Sequence, residues 1–223
     1  KQVGVIEYSV DSGSNWTQVD LSTGTDLHVS ELSIPSTSFN IWFRYVSGNA
    51  EVYGLVHKAG VNGVLFHKLA ATGSSAQQWS AQVGSSSFKA GLAELKPNAV
   101  AVMLGTNDQT GSTRPNVFKS YIQTIINEIK ESVPTADILL LSPPDNQRGS
   151  NVPMPAYASV MRDIAIKENI AFHDYQQDYG TDPQSYAFGS DRPWFSADMV
   201  HPNPDVGGGL PLAERLRKII YNG

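Results

Sequence analysis

Two short polar segments of this chain contain the side-chain types that serine-dependent acyl transfer requires. One is Gly-Thr-Asn-Asp at residues 105–108, and the other is Asp-Met-Val-His at residues 198–201. The spacing of three between Asp198 and His201 lets the carboxylate reach Nδ1 of the imidazole, which leaves Nε2 free as a general base. The side-chain amide of Asn107 is a neutral donor of the kind that stabilises an oxyanion.

Each of these residues also has an ordinary structural explanation. Asn107 or Asp108 could simply cap the helix that follows the preceding strand. Asp198 and His201 could form a surface pair ahead of the last helix. Pro202 favours the catalytic interpretation, because a residue before proline is held extended and the ring of His201 then projects from its loop. Taken one segment at a time, the residues leave both interpretations open.

A third candidate is Gly73, which lies between a predicted strand and a predicted helix. Its backbone N–H is a candidate second oxyanion donor, aided by the positive end of the helix that follows. The alternative is a glycine that only permits a tight turn.

Composition excludes several classes of protein. The net charge of −5 and the pI near 5.5 give no basic patch for nucleic acid or for an anionic membrane surface. The chain has no cysteine, so disulfides and thiolate metal sites are excluded. No His, Asp and Glu residues have the spacing of metal ligands, and no apolar stretch approaches the ~18–20 residues of a membrane span. A polar surface with only 17% charged residues is typical of an extracellular, secreted or virion-associated protein.

The elements that must position these residues fall into two regions. Residues 1–58 are predicted to form a β-rich module, part of a β-sandwich. We predict strands over residues 3–10, 16–21, 27–32 and 51–55, with turns at 11–15 and 47–49. The alternation of Phe39, Ile41, Phe43 and Tyr45 with polar or other residues predicts a further, half-buried strand.

Residues 59–223 alternate between strand-like and helical segments, which predicts an α/β domain with a parallel sheet and helices on both faces. The continuous apolar run 99–104 predicts a central parallel strand. The other predicted strands are 64–69, 138–141 and 170–174, and the predicted helices are one opening at 74–79 and those at 88–95, 117–133, 156–168 and 211–221.

In this order the motifs resemble the SGNH (GDSL-like) hydrolase superfamily, whose members have a flavodoxin-like three-layer α/β/α fold. Residues 105–108 match its Gly-x-Asn-Asp block, and residues 198–201, continued by Pro-Asn, match its Asp-x-x-His block. Gly73 is assigned to its glycine block, with Gly63 as a weaker rival. The resemblance covers residues 60–223.

The resemblance implies an ester hydrolase that needs no cofactor. His201 would take the proton of the nucleophile, Asp198 would orient His201, and Asn107 and Gly73 would stabilise the oxyanion. Some carbohydrate-active members have a β-sandwich insert that residues 1–58 resemble, so the implied substrate is an O-acetylated carbohydrate. Trp194 is the best candidate to stack on a sugar ring, ahead of Trp79 and Tyr186.

One block of the family is absent from these residues: the Gly-Asp-Ser turn with the nucleophile. We therefore expect the chain to begin inside the insert, with the catalytic serine on a missing N-terminal segment or on a separate chain. Ser74, Ser75 and Ser12 are poor substitutes. The alternative is a non-catalytic carbohydrate-binding or adhesion domain, such as part of a tail fibre, that kept the fold and lost the nucleophile. The presence of the Asn, Asp and His blocks speaks against that alternative.

Overall fold

A computed structural model describes residues 3–21, 40–49, 64–146 and 150–222. The backbone forms two compact units, Lys1–Ala70 and Ala71–Gly223. The boundary predicted between residues 58 and 59 lies outside the described residues.

The first unit contains a three-stranded antiparallel sheet in the order β2-β1-β3. Its strands are β1 (Val3–Ser9), β2 (Thr17–Asp20) and β3 (Trp42–Asn49). The predicted turn between β1 and β2 is present, and it is held by Asp11, whose carboxylate accepts hydrogen bonds from the backbone and side chain of Asn15 at 2.9 and 2.6 Å.

Two predictions for this unit are wrong. All eight residues of β3 are exposed, because a period of two determines which side chains share a face and not whether anything covers that face. The turn predicted at residues 47–49 is also absent, since β3 continues to Asn49 and pairs Gly48 with Gly4. Gly48 takes a positive φ of 79° next to a register shift in the pairing, so its glycine serves a β-bulge. The strands predicted at 27–32 and 51–55 lie outside the described residues.

The second unit is built on a parallel sheet in the order β4-β5-β6. Its strands are β4 (Ala99–Met103), β5 (Asp137–Ser142) and β6 (Ala171–Asp174). Among the described strands β5 is therefore central and β4 lies at the edge, contrary to the prediction for residues 99–104. The strand predicted at 64–69 is also wrong, since residues 64–70 have no regular secondary structure.

The five predicted helices are present, and two short helices that the sequence did not predict are added to them. They are α1 (Ala76–Val83), α2 (Ser86–Leu95), α3 (Thr106–Thr110), α4 (Pro115–Ser132), α5 (Met154–Glu168), α6 (Gln176–Tyr179) and α7 (Leu210–Asn222). Two 3₁₀ turns lie at Pro183–Tyr186 and Pro204–Val206. The short α3 and α6 have no apolar period of their own, so hydrophobic patterning does not predict them.

The side chains of β5 alternate between two hydrophobic clusters. Ile138 and Leu140 belong to the cluster built by α4 and α5 on one face. Leu141 points to the other face, where it packs with an aromatic cluster of Tyr175, Tyr179, Tyr186 and Phe195. The central strand β5 is therefore covered on both faces, and the predicted α/β fold with a flavodoxin-like core is confirmed. Within the described ranges, no helix combines the length and apolar character of a membrane span.

Candidate active site

His201 lies on a short hairpin, which we call the histidine hairpin and define as residues 194–203. Its two sides are joined by bonds from Ser196 N to the carbonyl of His201 at 2.9 Å and from Asn203 N to the carbonyl of Trp194 at 2.6 Å. Phe195, bridged to Pro202, is fully buried in the aromatic cluster. The hairpin is thus anchored to the sheet chiefly by the buried ring of Phe195, and the half-buried Trp194 packs against the same cluster.

At the tip of this hairpin, Asp198 binds His201 as the spacing of three predicts. Its Oδ2 lies 2.5 Å from Nδ1 of the imidazole. Its Oδ1 accepts the backbone N–H groups of Val200 and His201 at 2.9 and 3.0 Å. The bonds from the His201 side chain and from the two backbone groups hold the pKa of the Asp198 carboxyl well below its usual range. The carboxylate therefore stays ionised and fixes the orientation of the ring.

The other ring nitrogen of His201 is open to solvent. The side chain of His201 is 69% exposed and that of Asp198 is 39% exposed. Nε2 of His201 has no hydrogen-bond partner among the described residues. With Nδ1 directed to a carboxylate, Nε2 can accept a proton from a hydroxyl group placed against it.

Asn107 lies at the start of α3, where the chain leaves the C-terminal end of β4. Gly105 takes a φ of +134° before α3, and Nδ2 of Asn107 donates to the carbonyl oxygen of Ser74 at 2.8 Å. A side-chain amide has two N–H groups, so one of them remains for a ligand.

Gly73 directly precedes Ser74, whose carbonyl accepts the bond from Asn107. The two predicted oxyanion donors, Asn107 and Gly73, therefore lie on adjacent loops. Gly73 is the third residue of a turn closed by Ser74 N and the carbonyl of Ala71 at 3.2 Å, with φ of +76°. This is the position that requires glycine in a type II turn. The turn explanation and the oxyanion explanation are therefore compatible at Gly73. Gly63, the rival candidate, lies outside the described residues.

The sequence left open that Asn107 or Asp108 caps α3, the helix after β4, but the N-cap of α3 is Gly105 and no side chain caps it. Asp108 instead caps α1, an earlier helix. Its carboxylate is 1% exposed and accepts the backbone N–H of Ala76, at the start of α1, through both oxygens at 3.2 and 3.0 Å. Burial raises the pKa of the Asp108 carboxyl, partly offset by these bonds. Asp108 thus caps α1 across the site, while Asn107 keeps a free N–H.

A buried polar cluster, not predicted from the sequence, lies beside these residues. Gln109, which is 3% exposed, donates to Oδ1 of Asp145 and accepts from Nδ2 of Asn146, both at 2.6 Å. The hydroxyl of Tyr186 donates to the carbonyl of Asp145 at 2.9 Å. The sequence contains one indication of this cluster, which is the position of its residues. Polar residues follow β4 and β5 at the carboxyl ends of neighbouring parallel strands, where α/β sheets place their sites.

The aromatic candidates for sugar contact differ in accessibility. Tyr186 is fully buried, so its ring cannot stack on a sugar. Trp194 is half-buried and lines a cavity of about 390 Å³ near α7. The guanidinium of Arg192 lies 4.4 Å over its ring, and Tyr179 packs edge-on against it. Trp79 donates from Nε1 to Ser74 and packs against Phe88.

The two serines beside Gly73 have structural roles. The hydroxyl of Ser74 donates to the carbonyl of Ala71 at 2.7 Å and accepts from Trp79 at 2.8 Å. Ser75 is the N-cap of α1 and forms a capping box with Gln78. Neither hydroxyl contacts the imidazole of His201 among the described residues. Within the same residues, no cluster of His, Asp and Glu could hold a metal ion.

Comparison with known proteins gives the family. The model of the GDSL-like lipase/acylhydrolase family matches residues 39–206, which is most of the chain. The chain therefore belongs to the GDSL-like lipase/acylhydrolase family. No curated protein matches it.

Solved structures show the same fold at low sequence identity. One, described as a peptidoglycan O-acetylesterase in action, has a TM-score of 0.56 and 18% identity over 68% of this chain and 45% of its own. A carbohydrate esterase family 3 protein from Talaromyces cellulolyticus has a TM-score of 0.51 and 17% identity over 68% of this chain and 70% of its own. This chain therefore spans less than half the length of the first of these proteins.

Proposed function

We propose that this member of the GDSL-like family hydrolyses O-acetyl esters of carbohydrates with a serine–histidine–aspartate triad. The serine comes from a segment outside these 223 residues, either upstream in the same polypeptide or on a separate chain. The observation that supports the proposal most strongly is the 2.5 Å contact between Asp198 and His201, with Nε2 of His201 left open. A surface ion pair with no catalytic role would gain little from such a fixed ring orientation.

In the first half-reaction the serine Oγ attacks the ester carbonyl while Nε2 of His201 takes the hydroxyl proton. Asp198 stabilises the imidazolium that forms. When the tetrahedral intermediate collapses, the C–O bond to the sugar breaks and His201 returns the proton to the leaving alkoxide. Water then attacks the acyl-serine by the same route, which releases acetate and restores the serine.

The oxyanion of each tetrahedral intermediate is stabilised by the second N–H of Asn107 and the backbone N–H of Gly73. Donors that already point at the developing charge contribute about 2.7–4 kcal/mol each to lowering the barrier. The bond from Asn107 to Ser74 supports this pairing, because it fixes the amide next to the Gly73 turn.

The unpaired edge of β4 supports the proposal that the catalytic serine comes from a segment outside these residues. Among the described strands, β4 pairs only with β5, and its residues Ala101 and Met103 are exposed although both are apolar. Parallel strands are normally buried on both faces, and an unpaired edge accepts a further strand. In the family the serine block follows a strand of this sheet. A strand added beside β4 would end at the carboxyl edge, next to Asn107 and Gly73.

Two observations support an acetylated carbohydrate as the substrate: the descriptions of the similar solved structures and the position of Trp194. The similar structures include proteins described as a peptidoglycan O-acetylesterase and a carbohydrate esterase. An indole face suits the apolar face of a pyranose, and Trp194 lies on the hairpin that carries His201. The guanidinium of Arg192 covers one face of this indole, so it must move aside or itself contact the sugar when a pyranose stacks there. Substrates of this kind occur outside the cell, which agrees with a secreted or virion-associated protein.

The test is acetate release from acetylated xylan and from an aryl acetate by the chain extended at its N terminus with its upstream coding sequence. We expect turnover that His201→Gln lowers by about 10⁴-fold or more. The matched control is His67→Gln, which changes a histidine in the irregular segment 64–70, outside the histidine hairpin. If the extended chain binds acetylated glycan and releases no acetate, the non-catalytic binding domain is the better account.

A further inference from the structure

We propose that Gln109 and Tyr186 are positioning residues that hold the Asn107 end of the site in register with the histidine hairpin. The inference rests on the proposed function, because it concerns how the two halves of that site are aligned. The connection runs through the loop that follows β5, and every bond of it lies in the second unit. We call Gln109, Asp145, Tyr186 and Phe195 the relay.

The first half of the relay fixes α3. This helix is only five residues long, too short to hold its own position. Gln109 lies two residues after Asn107, and its backbone N–H donates to the carbonyl of Gly105 at 2.7 Å. Both polar atoms of its side-chain amide are bonded, Nε2 to Asp145 and Oε1 to Asn146. The hydroxyl of Ser150 also donates to its backbone carbonyl at 2.6 Å. Any shift of α3 therefore breaks bonds to the loop after β5.

The second half fixes the histidine hairpin to the same loop. The hydroxyl of Tyr186 donates to the carbonyl of Asp145, and the carbonyl of Tyr186 accepts the backbone N–H of Phe195 at 3.2 Å. The rings of Tyr186 and Phe195 pack with centroids 5.2 Å apart, and both are fully buried. Burial raises the pKa of the Tyr186 hydroxyl, so it remains a proton donor throughout the range in which esterases work.

The relay sets the distance between His201 and Asn107, which the histidine hairpin alone does not fix. The bonds of Asp198 orient the ring of His201 within the hairpin, but they do not set the distance from His201 to Asn107. A polar network that is largely shielded from water holds its bonded groups more rigidly than an exposed one. Misplacement by about 1 Å at a reacting centre can cost about a hundredfold in rate, so a fixed connection between the two halves has a direct catalytic consequence.

Two variants test the relay with little change of volume: Tyr186→Phe, which removes one oxygen, and Gln109→Met, which removes both hydrogen-bonding atoms. Tyr121→Phe and Gln123→Met make the same changes on α4. Gln123 bonds there to Glu168 and Asn127, outside the relay. The first readout is the NMR signal of the His201 imidazole and of the Asn107 side-chain amide in this chain, which needs no nucleophile.

We expect both relay variants to shift or broaden the His201 and Asn107 signals, and both controls to leave them unchanged. In the extended, active protein we expect kcat to fall about tenfold or more while KM stays within about twofold. Unchanged His201 and Asn107 signals in Tyr186→Phe would overturn the proposal, even if the variant is less stable. If Gln109→Met does not fold, Tyr186→Phe decides alone. If the extended chain has no esterase activity, the proposed function fails, and the NMR comparison still tests the relay.

Discussion

The side-chain amide of Asn107 donates a hydrogen bond of 2.8 Å to the carbonyl oxygen of Ser74. This bond joins two loops that are distant in the sequence. One loop connects β4 to α3, and the other leads from the Gly73 turn into α1. Because the bond uses one amide hydrogen, the second is held in a fixed direction. Asn107 therefore combines a structural bond with a free donor.

In the proposed mechanism, replacing Asn107 by alanine removes a donor that acts on the transition state. With the serine segment present, we expect kcat for an aryl acetate to fall by about 10²–10³-fold with little change in KM. Asn127→Ala, on exposed α4 surface, is the matched control and should retain full activity. An effect confined to KM would show that Asn107 binds the ground state of the substrate instead.

Asp108 should contribute to stability through the cap on α1. Asp108→Leu keeps the branched shape, with larger methyl groups in place of the oxygens, and leaves the buried N–H of Ala76 without an acceptor, which costs about 1–3 kcal/mol of unfolding free energy. Asp108→Asn keeps one acceptor oxygen and should lose less. Denaturant unfolding measures both, with the exposed Asp163→Asn as a control within about 0.5 kcal/mol of the parent. A fully stable Asp108→Leu variant would mean that the carboxylate does not hold this loop.

The carboxyl of Asp198 should titrate below the range of a free aspartate. Its folded-state pKa is lowered by His201 and two backbone bonds, whereas the unfolded value is about 3.9. Asp198 therefore stabilises the folded hairpin above about pH 3.9, and this contribution is lost as pH falls through the lower folded value.

A carbon NMR titration measures this directly. The carboxyl signal of Asp198 should stay constant from pH 7 to about pH 4, and His201→Gln should move its midpoint upward because one of the stabilising bonds is gone. A midpoint near 3.9 in the parent chain would show that the contact with His201 is not formed in solution.

The histidine hairpin also depends on Gly208. A Cβ at this position would overlap the carbonyl oxygen of Trp194 and lie 2.6 Å from the backbone nitrogen of Asn203, whereas a Cβ at Gly209 would meet no atom within 4 Å. We expect Gly208→Ala to lower the unfolding free energy by about 1–3 kcal/mol and to disturb the His201 NMR signals. Gly209→Ala should do neither. Equal behaviour of the two variants would mean that the hairpin does not pack against Gly208.

The parts of the fold that follow from local patterns were predictable. Ile122, Ile126 and Ile129 share one face of α4, and they are buried as their spacing indicates. The contact between Asp198 and His201 spans three residues, so spacing alone predicts it.

Features that depend on distant residues were not predictable in the same way. Gln109 and Asp145 are 36 residues apart, and Asp145 and Tyr186 are 41 apart; neither pair has a periodic signal. The edge position of β4 likewise depends on its neighbours, because an apolar run shows that a strand can be buried and not which strands lie beside it. The same reason explains the exposed β3.

The origin of the nucleophile is the central claim, and labelling with a serine-directed fluorophosphonate tests it most directly. The experiment compares residues 1–223 with the chain extended at its N terminus, and mass spectrometry identifies the labelled peptide. We predict no stoichiometric label on residues 1–223 alone, and one label per molecule in the extended chain, on a serine of the added segment and dependent on His201. Stoichiometric labelling of Ser74, Ser75 or any other serine within residues 1–223 would contradict the account and place the nucleophile in this chain.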